Sequence, residues 1–263
     1  FHALGEWASC SGAAVLAPSH WNTQPWRFEV EGPLIRLLAD PRRTLPVTDP
    51  EQRALRISLG AALENLLVAA RAWGLRPTVT YRPPGEATGV AAEVAWTAGE
   101  APRDRALFHA IVERRTNRSE YDERGLFREN RTALSVQVPG DFRLYWIDDR
   151  EQIRAIGQLT HDAVHEQVMD RRAQAERFAW MRFDDQARER GDGLSVDALD
   201  LGGPAKWFAG RYFNPRSWLL GQGAGSLGKQ ARDGVRSAGA LALLTAPVRR
   251  EEAWLLGGQV YER

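Results

Sequence analysis

The sequence predicts an α+β fold built from two related halves, on three observations. Two short alternating stretches, residues 27–30 and 34–39, lie three residues apart and read as a hairpin. A long stretch at 49–73 carries Leu59, Leu63, Leu66, Leu67 and Ala70 at helical spacing. The third is a weak internal repeat. Residues 34–41 (LIRLLADP), followed by two Arg, resemble residues 240–247 (ALALLTAP), followed closely by two Arg. Leu59-Gly60-Ala61 after the first copy and Leu256-Gly257-Gly258 after the second each sit in an apolar helix, although the spacing from Pro to Gly differs, 19 against 10. Such a repeat implies two related α+β halves in one chain. It also predicts that the second helix continues past Arg263, as the first continues through residues 66–73.

Taken in order, residues 1–17 are rich in Ala and Leu and read as a helix stopped by Pro18. Residues 18–26 form a polar and aromatic turn segment, and Glu31-Gly32-Pro33 turns the hairpin. Asp49-Pro50-Glu51 opens the long helix with an acidic cap and a Pro at its first position, and Gly74 closes it. Small residues (Gly60, Ala61, Ala62, Ala69) crowd one stretch of that helix and predict close approach of another element. Strands are expected at 78–82, 90–97 and 142–147, and a helix at 104–115 ending in Arg114 and Arg115. Residues 149–190 read as one long charged helix broken by Gly191-Asp192-Gly193. Residues 191–234, rich in glycine and large aromatics, are expected to form an ordered covering loop. Residues 238–246 read as the clearest buried strand, with a helix from Glu251 onward.

Composition narrows the function classes. The 263 residues suffice for one large domain or two small ones. Thirty-five basic against 34 acidic residues leave +1, which gives no whole-chain reason to expect nucleic acid or an anionic membrane. The single cysteine, Cys10, cannot form an internal disulfide and excludes a multi-cysteine metal site; a small buried core residue is its expected role. No apolar run approaches the roughly 20 residues that span a bilayer.

Two segments carry chemistry. Residues 18–26 read Pro-Ser-His-Trp-Asn-Thr-Gln-Pro-Trp. Two prolines stiffen the loop, while Ser19, Asn22 and Gln24 offer neutral donors and acceptors suited to a planar heteroaromatic edge such as flavin's pyrimidine ring. The plainer alternative is a loop whose side chains cap its own backbone. Residues 114–118 read Arg-Arg-Thr-Asn-Arg. Three guanidiniums and a hydroxyl can bind phosphate by bidentate bonds, and an arginine facing a flavin N1–O2 edge would stabilise negative charge there. A solvated basic helix end is the alternative.

Together these segments resemble the FMN-dependent nitroreductase family, through P-S-x-x-N-x-Q-P-W at 18–26 and R-R-T-N-R at 114–118. In ordinary members the R-R-S-x-R segment precedes the P-S-x-x-N segment; here it follows by almost a hundred residues. Leu59-Gly60-Ala61-Ala62-Leu63, Ala179-Trp180-Met181-Arg182, Asp192-Gly193-Leu194 and residues 255–259 are similar to the Acg-like FMN-binding branch. That resemblance implies a nitroreductase-like α+β fold in which two degenerate halves, fused as a pseudo-dimer, surround one FMN. The halves are expected at 1–103 and 104–263, with 200–231 as a lid and the chain truncated at its C-terminal end, where the family places a further basic phosphate contact.

Carried over by position, Arg114, Arg115, Thr116 and Arg118 would hold phosphate, ribityl or the pyrimidine edge, and Pro18, Ser19, Asn22 and Gln24 would lie along the ring. The implied activity is transfer of electrons from NAD(P)H through flavin to a small nitroaromatic or quinone-like acceptor. No side chain is required as nucleophile or general acid, and a cytoplasmic monomer without nucleic acid, membrane or metal partner is expected. The alternative is an FMN-sequestering, storage or stress-related protein with little turnover.

Two further patterns point elsewhere. Gly223-Ala-Gly225-Ser-Leu-Gly228 satisfies G-x-G-x-x-G, which in a nicotinamide-binding Rossmann unit would link a strand to a helix. Residues 229–238 have almost no apolar face, so a glycine-hinged loop is the expectation. His161 and His165 share a helix face at i, i+4, but Asp162 stands where a zinc-protease motif needs Glu, and a solvent-facing helix is expected.

Overall fold

The computed structural model describes residues 10–81, 89–100, 105–117, 119–136, 138, 142–183, 189–195, 219–246 and 251–263. They fall into two compact units, residues 1–116 with 246–263, and residues 117–245. Spatial grouping thus follows a different line from a cut at 103/104, because the C-terminal helix belongs with the N-terminal unit.

In the first unit residues 10–14 are helical, followed by a single-turn helix at His20–Asn22. Strand β1 (Trp26–Glu31) and strand β2 (Leu34–Ala39) form the expected hairpin, with Trp26 opposite Ala39 and Glu31 opposite Leu34. Gly32 takes φ +55° in its two-residue turn, a conformation that glycine adopts without a Cβ penalty. After a single-turn helix at Pro41–Arg43 comes helix α1 (Arg53–Ala72). Strand β3 (Leu75–Tyr81) and strand β4 (Val90–Ala98) then complete an antiparallel sheet of order β1-β2-β4-β3. Helix α2 (Ala106–Glu113) ends this part of the chain. The sheet turns Ile35, Leu37, Ala92 and Val94 inward against Leu59, Leu63 and Leu66 of α1.

Helix α1 is buried along fifteen of its 20 residues, as a central helix must be when it is covered on more than one side. Gly74, at φ +75°, closes it and donates to the carbonyl of Arg71. Its start differs from the sequence expectation. Residues 50–52 form a turn, Gln52 is left-handed, and the Asp49 carboxylate reaches forward to accept from the backbone N–H groups of Ala54 (3.1 Å) and Leu55 (2.9 Å). Asp49 still caps the helix, one turn later than its position suggests, and Pro50 does not occupy the first helical position. Asp49→Ala removes both acceptors and is expected to cost about 1–2 kcal/mol in urea unfolding.

The small-residue stretch does mark a close approach. The C-terminal helix, here numbered after those of the second unit as α7 (Glu251–Glu262), crosses α1. A Cβ on Gly60 would run into the carbonyl of Leu255, and one on Gly258 would run into the carbonyl of Ile57. The two contacts are reciprocal. A shift of 198 positions carries Gly60 onto Gly258 and Ile57 onto Leu255, so one contact becomes the other. The sequence repeat pairs Gly60 with Gly257; packing pairs it with Gly258, one residue further on. The same shift relates Arg56 to Trp254, whose ring lies under the Arg56 guanidinium at 5.4 Å.

The second unit contains helix α3 (Arg128–Val136), strand β5 (Arg143–Ile147), helix α4 (Arg150–Met169), helix α5 (Arg171–Ala179), two-residue strands β6 (Met181–Arg182) and β7 (Leu194–Ser195), helix α6 (Leu219–Arg236) and strand β8 (Leu241–Thr245). Helices α4 and α6 run antiparallel. Gly157 lies against Arg232 and Arg236, Gly228 lies against His161, and Arg150 donates to the carbonyls of Arg236 and Ala238 (2.7 Å each). Arg182 and Asp192 form a buried ion pair at 2.7 Å beside Gly193, which sits at φ +74°.

Four expectations are corrected here. The helix expected over 149–190 breaks at Asp170, whose N–H closes α4 on Glu166 while its carboxylate caps α5 at Arg172. Residues 181–182 are extended and pair with 194–195. Strand β8 is shorter than 238–246, pairs only with β5 among the described residues, and has no fully buried residue: Leu243 is 49% exposed. Of the proposed lid, 200–218 lies outside the described residues and 219–231 is helix, not loop. All glycines of the G-x-G-x-x-G run lie inside α6, where no strand-to-helix phosphate loop can form.

Candidate functional site

The site grows from the loop between residues 14 and 26. Trp21, Asn22 and Gln24 all have positive φ (48°, 54° and 50°). Three left-handed non-glycine residues within four positions cost energy and persist only when their surroundings hold them. The holding contacts are visible. The Ser19 hydroxyl accepts from the Gln24 N–H (3.0 Å), and the Asn22 N–H donates to the Ser19 carbonyl (2.9 Å). Ser58 on α1 accepts from the His20 N–H (3.3 Å), Arg43 donates to the Thr23 carbonyl (2.8 Å), and the Asp40 N–H donates to the Pro25 carbonyl (2.9 Å). Pro25 and Trp26 anchor the far end in the core. Ser19 therefore braces its own loop, as the plainer reading expected, while its hydroxyl hydrogen is still available in chemical terms to a second partner.

The basic segment begins where α2 ends. Arg114 donates from its Nη1 to the Thr116 hydroxyl (3.2 Å) and from its Nη2 to the carbonyl of Leu16 (3.1 Å), two residues before Pro18. This contact ties the basic segment to the chain just upstream of the 18–26 loop, across a separation of 98 residues. Arg115 is exposed and turns one nitrogen back onto the carbonyls of Val112 and Arg114 (2.8 Å each), capping the helix end. Thr116 is exposed, and Arg118 lies outside the described residues. Pro18, Ser19, Asn22 and Gln24 are half-buried beside the loop's core anchors.

On the remaining side Arg114 meets Glu262 of α7, with Nε 3.6 Å from the carboxylate. That carboxyl is buried and pushed up to about 7, first by burial and then by Glu64, while Arg114 and a hydrogen bond from Asn65 oppose the shift. Below the loop, Arg42 holds the buried Asp40 carboxyl below the usual carboxylate range. Sequence reasoning passed over Arg43, Ser58 and Glu262. Each acts on a residue at least twenty positions away, and neither motif spacing nor periodicity signals such a partner.

The donor set fits FMN chemically. Guanidiniums and a hydroxyl suit a phosphate, and neutral amides on a stiff loop suit the polar edge of a flavin ring. Elsewhere, His161 and His165 stack at 6.1 Å, and His161 bonds Asp162 at 2.9 Å. Among the described residues no helix is long and apolar enough to cross a membrane.

No protein-family model matches the chain. Among curated proteins, it is 39% identical over 114 residues to the Mycobacterium tuberculosis protein named "Putative NAD(P)H nitroreductase Rv3131", which covers 41% of this chain and 32% of that protein. Another from the same organism, "Putative NAD(P)H nitroreductase acg", is 31% identical over 174 residues, 64% of this chain and 51% of that protein. A third, "Uncharacterized protein Rv3127", is 31% identical over 160 residues, 56% of this chain and 45% of that protein. The chain thus spans about half or less of the length of the relatives it matches, and two of these three carry a nitroreductase name.

Proposed function

We propose that this chain is an FMN-binding oxidoreductase of the nitroreductase type, which takes electrons from NAD(P)H and passes them to a small nitroaromatic or quinone-like acceptor. The observation that carries the reading is the Arg114–Leu16 contact, which ties a cationic segment to the chain immediately before a stiff loop of neutral hydrogen-bonding groups. The nitroreductase names of two relatives support it.

When bound, FMN supplies hydride acceptance and onward electron transfer. The protein's own residues bind and orient. In this reading Arg114, Arg115, Thr116 and Arg118 hold the phosphate, the ribityl chain or the pyrimidine edge. Pro18, Ser19, Asn22 and Gln24 lie along the ring, their positions fixed by the bracing of the loop. A guanidinium at the N1–O2 edge favours negative charge there and so favours reduction.

The pseudo-dimer also belongs to this proposal. Two fused halves, 1–103 and 104–263, would carry one FMN and work as a monomer. The reciprocal crossing of α1 and α7, with its constant shift of 198, supports that duplication.

Purified chain should carry or take up FMN, and the reduced protein mixed with a nitroaromatic or a quinone should reoxidise faster than with oxygen alone. Chain that binds no flavin would overturn the proposal. Flavin that binds but does not reoxidise beyond the oxygen rate would leave a sequestering protein instead. At residue level, Arg118→Ala should retain FMN at least about tenfold less well than Arg171→Ala on α5, because charge-assisted phosphate contacts contribute about 1.5–3 kcal/mol. Equal occupancy would remove Arg118 from the site.

A further inference from the structure

Two carboxylates lie buried where α7 meets α1: the Glu64 side chain is 1% exposed and that of Glu262 is 4% exposed. The shift of 198 positions relates them, as it relates Asn65 to Arg263. Their partners are unequal. Glu64 accepts from Arg263 through two nitrogens (2.9 and 2.7 Å) and from the Gln259 amide (3.1 Å), with Arg71 at 3.9 Å. At the related position Glu262 has the neutral amide of Asn65. Among the described residues its ion-pair partner is Arg114, 3.6 Å away at Nε, a buried nitrogen with no hydrogen-bond partner among them.

The groups acting on Glu262 are Asn65 and Glu64 from α1 and Arg114 from the end of α2, while Arg263 of its own helix is engaged by Glu64. Tyr81 of β3 is turned to Gln259 (2.8 Å). Burial raises a carboxyl and a second carboxylate nearby adds to the rise, which is the situation of Glu262 with its single long contact to Arg114.

We propose that Glu262 is a positioning residue for Arg114, and that its carboxyl sets how much of the Arg114 charge is offered to an anionic ligand where residues 114–116 meet Leu16. An ionised Glu262 draws Nε inward and neutralises the guanidinium. A neutral Glu262 leaves the full charge facing outward. The midpoint of about 7 puts this change at neutrality. The inference rests on the FMN reading for the identity of the anion and on the buried cluster for the coupling itself. Its sign is distinctive. The second proton of a phosphate monoester, with a pKa near 6, weakens FMN as an anion when pH falls, whereas neutral Glu262 strengthens the site over the same range.

The test measures FMN dissociation by flavin fluorescence between pH 5.5 and 8.5 for the full chain, Glu262→Gln and Glu262→Asp. Comparison at each pH cancels the titration of the phosphate. Expected is equal affinity of the full chain and Glu262→Gln at the acid end, where both present a neutral group. At pH 8.5, Glu262→Gln should bind about 3- to 10-fold tighter, while Glu262→Asp should retain a pH-dependent ratio. A ratio that stays constant across the range overturns the proposal. A second arm uses no flavin: carboxyl-carbon NMR of the ligand-free chain should show Glu262 titrating near neutrality, with its midpoint moving upward in Arg114→Gln. A midpoint indifferent to Arg114 overturns the coupling. Absence of FMN binding at every pH overturns the flavin reading, and the carboxyl titration then decides the Glu262–Arg114 coupling alone.

Discussion

Gly60→Val is expected to cost about 3 kcal/mol or more in urea unfolding. The clash is with backbone. Even a single added carbon at position 60 meets the Leu255 carbonyl, and Gly258 Cα stands 3.0 Å off. Flexible side chains could move aside; two helix backbones in contact can only separate, and separation opens the apolar contacts of Leu59, Leu63 and Leu255. Gly258→Val should do the same from the other side, against Ile57. The double variant should cost less than the two costs combined, because helices already parted by one valine readily admit a second. Gly12→Ala is the contrast. It lies in the helical residues 10–14 with nothing among the described residues within 4 Å of where its Cβ would go, so alanine should stabilise by about 0.5–1 kcal/mol. Equal and small effects at Gly60 and Gly12 would refute the crossing as drawn.

Arg114→Ala is expected to lower FMN affinity at least about tenfold, by loss of a charge-assisted contact, and to destabilise the flavin-free chain as well. Three groups lose a partner at once: the Leu16 carbonyl, the Thr116 hydroxyl and the Glu262 carboxylate, which keeps only the Asn65 amide among those described. The buried carboxylate without its cation should then titrate higher still. Flavin retention reports the first effect and unfolding at pH 8 the second. Arg114→Lys should restore part of the charge but not the Leu16–Thr116 bridge, since an ammonium cannot reproduce a fork of planar donors. Full flavin affinity in Arg114→Ala would remove this residue from the site.

Sequence carried the local features well. The hairpin, the long helix and its glycine stop follow from periodicity and turn chemistry within a few residues, and β1, β2, α1 and Gly74 match closely. The crowd of small residues around Gly60 announced a neighbour without naming it. Where the deciding partner was distant, the reading failed. Helix α6 has five glycines and poor intrinsic propensity, yet it forms as a helix packed along α4, with Gly228 against His161. The break at Asp170 was hidden because the charged pattern continues on both sides of it. In the candidate site, both segments were legible as motifs. Their bracing by Ser58 and Arg43, and the burial of Glu262 behind Arg114, were not, since each depends on tertiary contact rather than spacing.

The reciprocal helix crossing has a consequence for synthesis. Gln259 follows Glu64 by 195 residues, and both belong to the same buried cluster. A ribosome adding about 5–20 residues per second leaves the glycine face of α1 bare for roughly 10–40 s before α7 emerges to cover it. During that interval the nascent chain presents an apolar groove shaped to receive a helix. Coexpressed holdase chaperones should therefore raise the yield of this chain more than that of one whose buried helices are contiguous in sequence.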